Sequence, residues 1–158
     1  MQKIQPFLWF NDNAEEAAQF YVSVFKNAKM GTLTRYPAGS PGKPGSVMTA
    51  TFTIGDVEFI ALNGGPHFQF NESISFVVHC DSQAELDEMW AKLLEGGKES
   101  QCGWLKDKFG LSWQVVPANM GELMQGKDAA SAQRVMQAVM QMVKIDIATL
   151  RRAGGLSE

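Results

Sequence analysis

The sequence predicts an α+β fold made of two βαβββ modules with helices added after them, and three observations predict it. An apolar, aromatic run from Ile4 to Phe10 leads into an amphipathic helix, β-rich segments follow, and the same strand-then-helix succession begins again at Ile74. With 158 residues, 45% of them apolar and including 10 Phe and 4 Trp, the chain can fill a core without disulfides or metal. One domain over residues 1–158 is expected, with modules at 3–64 and 72–117 and a helical extension at 118–158.

Strand one carries Pro6 near its beginning, where a missing N–H is tolerated. Asn13, with Glu16 three residues on, resembles a capping box, and Ala14, Ala17, Ala18, Tyr21, Val24 and Phe25 recur at helical spacing until about Asn27. Met30 to Tyr36 reads as strand two. The Pro- and Gly-dense stretch from Pro37 to Ser46 reads as a surface loop. Val47 to Ile54 and Val57 to Leu62 form a hairpin around Gly55-Asp56, which supplies positive φ.

The second module opens with Ile74 to Cys80. Ser82 and Glu85 form an S-x-x-E box, and a stripe of Leu86, Met89, Trp90, Leu93 and Leu94 ends at Gly96-Gly97. An offset of 69 residues lays Asp81 on Asp12, Leu86 on Ala17, Trp90 on Tyr21 and Ser75 on Pro6. Glu99 to Lys106 and Leu111 to Pro117, joined by a turn at 107–110, bring the strand count to seven or eight. Beyond Pro117 a Met-rich helical stripe (Ala132, Val135, Met136, Val139, Met140, Val143) and a short helix after Asp146 are expected. That stripe covers either its own sheet edge or a second subunit, and a homodimer contact is favoured.

The charge is −3, from 14 basic and 17 acidic residues spread along the chain, which offers no basic stripe for a nucleic acid. No segment approaches 18 apolar residues and the first residues do not form a signal peptide, so no membrane partner is expected. Cys80 and Cys102, outside any CxxC pair, fit reduced thiols and a cytoplasmic location.

The segments FLWFNDNAEEAAQFYVSVFKNAK, ALNGGPHFQFNESISFVV and QCGWLKDKFGLSWQVVP resemble the PhnB-like branch of the glyoxalase/bleomycin-resistance/dioxygenase, or vicinal oxygen chelate, superfamily. The resemblance covers Lys3 to Pro117, implies the paired-module fold, and brings the label 3-demethylubiquinone-9 3-methyltransferase. No strand-GxGxG-helix context for a nucleoside cofactor occurs, since Gly64-Gly65 runs into Pro66 and His67. Metal-dependent members of the superfamily place His, Gln or Glu at cavity positions that carry over to Pro6, Ile60 or Ala61, Ser75 and Gln114. That set has no imidazole or carboxylate, so neither metal nor cofactor is expected.

If Pro6 and Ser75 face a cavity, alternation adds Leu8, Phe10, Val77 and His79 and sends Phe7 and Trp9 toward the helices. The ligand-binding candidates are then Phe10, Asn63, Ser75, His79, Trp104 and Gln114. Asn63 either orients a substrate carbonyl or makes an Asx turn, and Trp104 is a platform or core. His67 is the candidate catalytic residue, a general base or a plain loop histidine. Cys102 reads as structural. The functional expectation is metal-free binding of a small apolar or aromatic molecule; the alternative is an enzyme acting on a carbonyl or quinone.

Overall fold

The computed structural model describes residues 2–157, which divide into two compact units, one running to Phe70 and the other starting at Asn71. The first contains β1 (Phe7–Phe10), α1 (Ala14–Val24), β2 (Ala28–Arg35), β3 (Val47–Ile54) and β4 (Val57–Asn63). Its sheet runs β1-β4-β3-β2, with β1 parallel to β4 and the other pairs antiparallel. The second contains β5 (Ser75–Cys80), α2 (Gln83–Leu94), β6 (Lys98–Glu99), β7 (Trp104–Lys106) and β8 (Ser112–Pro117), in the order β5-β8-β7-β6. The two βαβββ modules therefore share one topology, and their eight strands make the fold α+β. Helices α3 (Met120–Gln125), α4 (Ala129–Met140) and α5 (Ile147–Ala153) complete the second unit.

In the first unit α1 lays Ala14, Ala17, Ala18, Tyr21 and Val24 on the sheet, and all five are buried. Tyr21 lies 5.6 Å from the ring of Phe52, which stacks at 5.0 Å on Phe59. Truncating such a core ring to Ala costs about 3–5 kcal/mol. In the second unit Leu86, Met89, Trp90 and Leu93 of α2 are buried likewise. Both stripes follow the helical period of the sequence.

Four local expectations change. β1 begins at Phe7 rather than Ile4, because Pro6 has no N–H for the ladder, although its carbonyl still accepts from Ile60 N at 3.0 Å. Asn13 makes no side-chain cap to α1. The expected strand from Glu99 to Lys106 is two strands, split by a turn in which Cys102 takes φ 60° and Gly103 φ 85°. On α4, Val135 and Val139 are buried but Met136 and Met140 are 50% and 58% exposed, and α3 precedes it where no helix was expected.

Alternation in β1 runs opposite to expectation. Leu8 and Phe10 are buried at 7% and 3% exposure, whereas Phe7 is 55% exposed. Leu8 pairs with Ala61 and Phe10 with Asn63, on the face that Phe52 and Phe59 share with α1. The open face of this sheet instead carries Phe7, Trp9, Ile60 and Leu62, with Gln5 Nε2 donating to Glu58 Oε1 at 2.6 Å at its end. The reason is a single residue. Two residues separate Phe10 from the N-cap Asn13, but only Asp81 separates Cys80 from the N-cap Ser82. An offset of 69 therefore aligns the helices while the strands need 70.

Candidate functional site

In the second unit alternation holds as expected: Phe76, Cys80, Trp113 and Val115 face α2, and Ser75, Val77 and His79 face the open side. Register builds rows across that open side. Val77 on β5, Gln114 on β8 and Trp104 on β7 stand side by side, with Ser75 one step along the strand. Gln114 Nε2 donates to Ser75 Oγ at 3.0 Å, so these two candidates meet directly. Val77 is 44% exposed, Gln114 and Trp104 are half-buried, and His79 is exposed beside Val116. The Val77–Gln114–Trp104 row is thus apolar and aromatic with one neutral hydrogen bond to Ser75, while the next row of the same side carries Lys98, Lys106 and Ser112. Such a surface can bind and orient an organic molecule by shape and by a few hydrogen bonds.

The remaining candidates belong to the first unit. Asn63 is fully engaged: its Oδ1 accepts from Ala14 N at 2.8 Å, its Nδ2 donates to Val47 O at 3.1 Å, and its carbonyl accepts from Tyr36 Oη at 2.5 Å. It caps α1 from the neighbouring strand and ties down the start of β3, so its side chain is used in packing the fold and not in an Asx turn. Phe10 is buried on the helix face, edge-on to Phe70 at 5.2 Å. His67 is exposed and lines a groove of about 390 Å³ with Asp12, Tyr36 and Lys43. Its ring lies 6.4 Å from that of Trp9, edge-on, and Trp9 Nε1 donates to Gly65 O at 2.9 Å. A side chain at Gly64 would run into the Trp9 ring, so that glycine serves close packing and not a phosphate.

Burial pushes the Cys80 thiol up to about 11, with Glu85 and Asp81 adding to the shift, which makes it inert at neutral pH. Cys102 is half-buried in its strained turn, where its amide and that of Gly103 hold the carbonyls of Met142 and Val143 at 2.8 Å each. Sequence reasoning missed two polar anchors. Asp107, 3% exposed, accepts from Phe109 N, Leu111 N and Trp113 Nε1 at 2.8, 3.1 and 2.9 Å and so closes the β7–β8 turn. The other is the pair Lys98 and Lys106, set in one row with Ser112 by two strands too short to read from sequence.

On each unit by itself, the positions that carry metal donors in the superfamily's metal-dependent members are poor in donors. Ser75 and Gln114 are neutral and bonded to each other, Ile60 has no donor atom, Ala61 is buried, and Glu58 on the first sheet is held by Gln5. Among the described residues no three His, Cys, Asp or Glu side chains cluster. These residues do not fit zinc or nickel.

Two four-stranded mixed sheets of βαβββ topology define the glyoxalase/bleomycin-resistance class of fold, and FosX, a fosfomycin resistance protein from Mesorhizobium loti, shares it at 13% identity and TM-score 0.52, over 75% of this chain and 93% of that one. Within that class, the family model described as 3-demethylubiquinone-9 3-methyltransferase matches residues 2–116, and the chain belongs to this family. It is similar to a putative 3-demethylubiquinone-9 3-methyltransferase, PhnB protein, from Bacillus cereus: 36% identity over 73% of this chain and 99% of that one, TM-score 0.66. Protein PA1353 from Pseudomonas aeruginosa follows at 23% identity, covering 74% and 97%, with TM-score 0.60. No curated protein matches.

Proposed function

We propose that this chain binds a small aromatic or apolar organic molecule without a metal ion, on the open face that carries Val77, Gln114 and Trp104. One observation carries the reading: an apolar and aromatic row, Val77, Gln114 and Trp104, whose one polar member is neutral and already aligned by a hydrogen bond to Ser75 of the next row. The family's label names methyl transfer, but Gly64-Gly65 is packed against Trp9 and followed by a loop. Binding without group transfer is the simpler use of this surface. The test is thermal shift of chelator-treated protein against quinones, aldehydes and neutral aromatics. A ligand at one hundred times its Kd is expected to add about 2.7 kcal/mol of stability, and Trp104→Ala or Gln114→Ala to reduce the gain. Stoichiometric zinc or nickel retained by the untreated protein would overturn the metal-free reading.

The second reading is an enzyme acting on a carbonyl or quinone. The imidazole of His67, exposed in a groove beside Asp12 and Tyr36, favours it. Turnover lost on His67→Ala with folding intact would establish it. The same proposal places the chain in the cytoplasm, where Cys80 and Cys102 stay reduced. It also makes the chain a homodimer through Met136 and Met140, which light scattering of wild type and Met136→Glu would test.

A further inference from the structure

We infer that one row of the second unit's sheet binds the acidic head group, carboxylate or phosphate, of a small organic acid whose aromatic body lies along Trp104. This rests on the binding function proposed above and names its class of ligand. Register sets Lys98 on β6, Lys106 on β7, Ser112 on β8 and Ser75 on β5 side by side. A cavity of about 190 Å³ is lined by Lys98, Lys106, Ser112 and Trp104 together with two carboxylates, Glu72 and Glu99, the latter on a residue whose strand position, paired with Leu105, alternates to the other face.

Two features of the row call for an anion. Ser112 is 1% exposed, and its Oγ has no hydrogen-bond partner among the described residues, although buried hydroxyls nearly always have one. Its row neighbours are already committed. Ser75 Oγ accepts from Gln114, and Lys106 Nζ is paired with Glu72. The second feature is charge. Lys98 and Lys106 stand directly opposite each other across β6 and β7, a pairing of like charges that disfavours the ladder. Glu72 answers only Lys106, whose hydrogen bond holds that carboxyl below its usual range. The row thus already takes one carboxylate from its own chain and keeps the Ser112 hydroxyl and the Lys98 ammonium for another. Trp104, in the adjacent row and lining the same cavity, supplies the flat apolar surface that makes an aryl acid a better guest than a bare ion.

The experiment compares benzoate with benzamide, which share a ring and differ in charge, by calorimetric titration at low salt. Phenyl phosphate and inorganic phosphate form the second pair. Benzoate is expected to bind about tenfold tighter than benzamide, a difference appropriate to charge-assisted hydrogen bonds. Lys98→Ala and Ser112→Ala are each expected to cost benzoate about threefold to tenfold, with Tm unchanged or raised in Ser112→Ala because its hydroxyl holds nothing in the free protein. Glu72→Gln is expected to tighten benzoate by freeing Lys106. Equal affinities for benzoate and benzamide in wild type and in Glu72→Gln would overturn the inference while leaving the binding function intact. Failure of every aromatic, charged or neutral, would overturn both. Inorganic phosphate binding as tightly as phenyl phosphate would remove Trp104 and the organic body from the proposal.

Discussion

The two modules share strand order and helix placement, yet they close their critical points with different chemistry. In the second module the start of α2 is capped from within its own first turn: Ser82 Oγ accepts from Glu85 N at 3.1 Å, and Glu85 Oε2 accepts from Asp81 N at 2.7 Å. In the first module α1 is capped by Asn63 on the paired strand β4, 49 residues along the chain. The registers make the substitution plain, because Asn63 is the partner of Phe10 where Pro117 is the partner of Cys80. A proline offers no side-chain acceptor, so a helix beside it must cap itself. The hairpins differ in length. β3 and β4 are joined by the two-residue turn Gly55-Asp56, while β7 and β8 need the longer turn held by buried Asp107. Both devices of the second module are thus local, Asp107 reaching no further than Trp113, and only the first module caps its helix from far along the chain.

Asp107→Ala is the most damaging way to probe this contrast. Three N–H groups, two of the backbone and the indole of Trp113, lose one carboxylate acceptor in a buried turn. A loss of about 3 kcal/mol or more in urea unfolding is expected, since hydrogen bonds to charged groups are worth about 1.5–3 kcal/mol each and do not add fully. Asn63→Ala comes next, at about 2–3 kcal/mol, through the unmade bonds to Ala14 N and Val47 O. Hydrogen exchange is expected to accelerate at the start of α1 while α2 keeps its protection. Equal loosening of both helices would end the distinction.

What was legible in the sequence follows distance along the chain only in part, since the Asn13–Glu16 box is as local as the Ser82 cap and does not form. Helical stripes, the Ser82 cap and the Gly55-Asp56 turn depend on residues within one or two turns of each other, and they read correctly. Asn63 had two local interpretations, a turn or a ligand contact, and its real partner is 49 residues away. The facing of β1 failed for a sharper reason. The helices repeat at an offset of 69 and the strands at 70, and the one additional residue between Phe10 and α1 turns β1 over relative to β5, because side chains alternate with a period of two. In β5 the same reasoning placed Ser75, Val77 and His79 correctly. Lys98 and Lys106 could not be read into the row of Ser112 and Ser75, since β6 is two residues long and gains its register only from pairing.

Phe10 and Cys80 end equivalent strands and are both buried, but only Cys80 titrates. Its thiol is raised from 9.0 to about 11, so folding favours the protonated form. Its contribution is whole below pH 9 and is lost as pH climbs to 11, by about 2 kcal/mol at the upper end. Urea unfolding of wild type and Cys80→Ala across this range is expected to give the shallower pH dependence in the variant. Parallel curves would mean that Cys80 ionises as freely in the fold as outside it.

The smallest effects separate the two caps most cleanly. Ser82→Ala removes the acceptor for Glu85 N and is expected to cost about 1 kcal/mol. Asn13→Ala sits at the matching N-cap, but Asn13 makes no side-chain cap bond and the Ala14 amide is satisfied by Asn63. Its cost is expected to stay within about 0.5 kcal/mol, the range of an uninvolved surface change. Combined with Asn63→Ala, the same substitution discriminates further. With Asn63 intact Asn13 is idle, whereas without it Asn13 is the nearest side chain able to turn toward the bare amides. The double variant is then expected to lose more than the sum of the singles, and simple additivity would show that Asn13 cannot take over the cap.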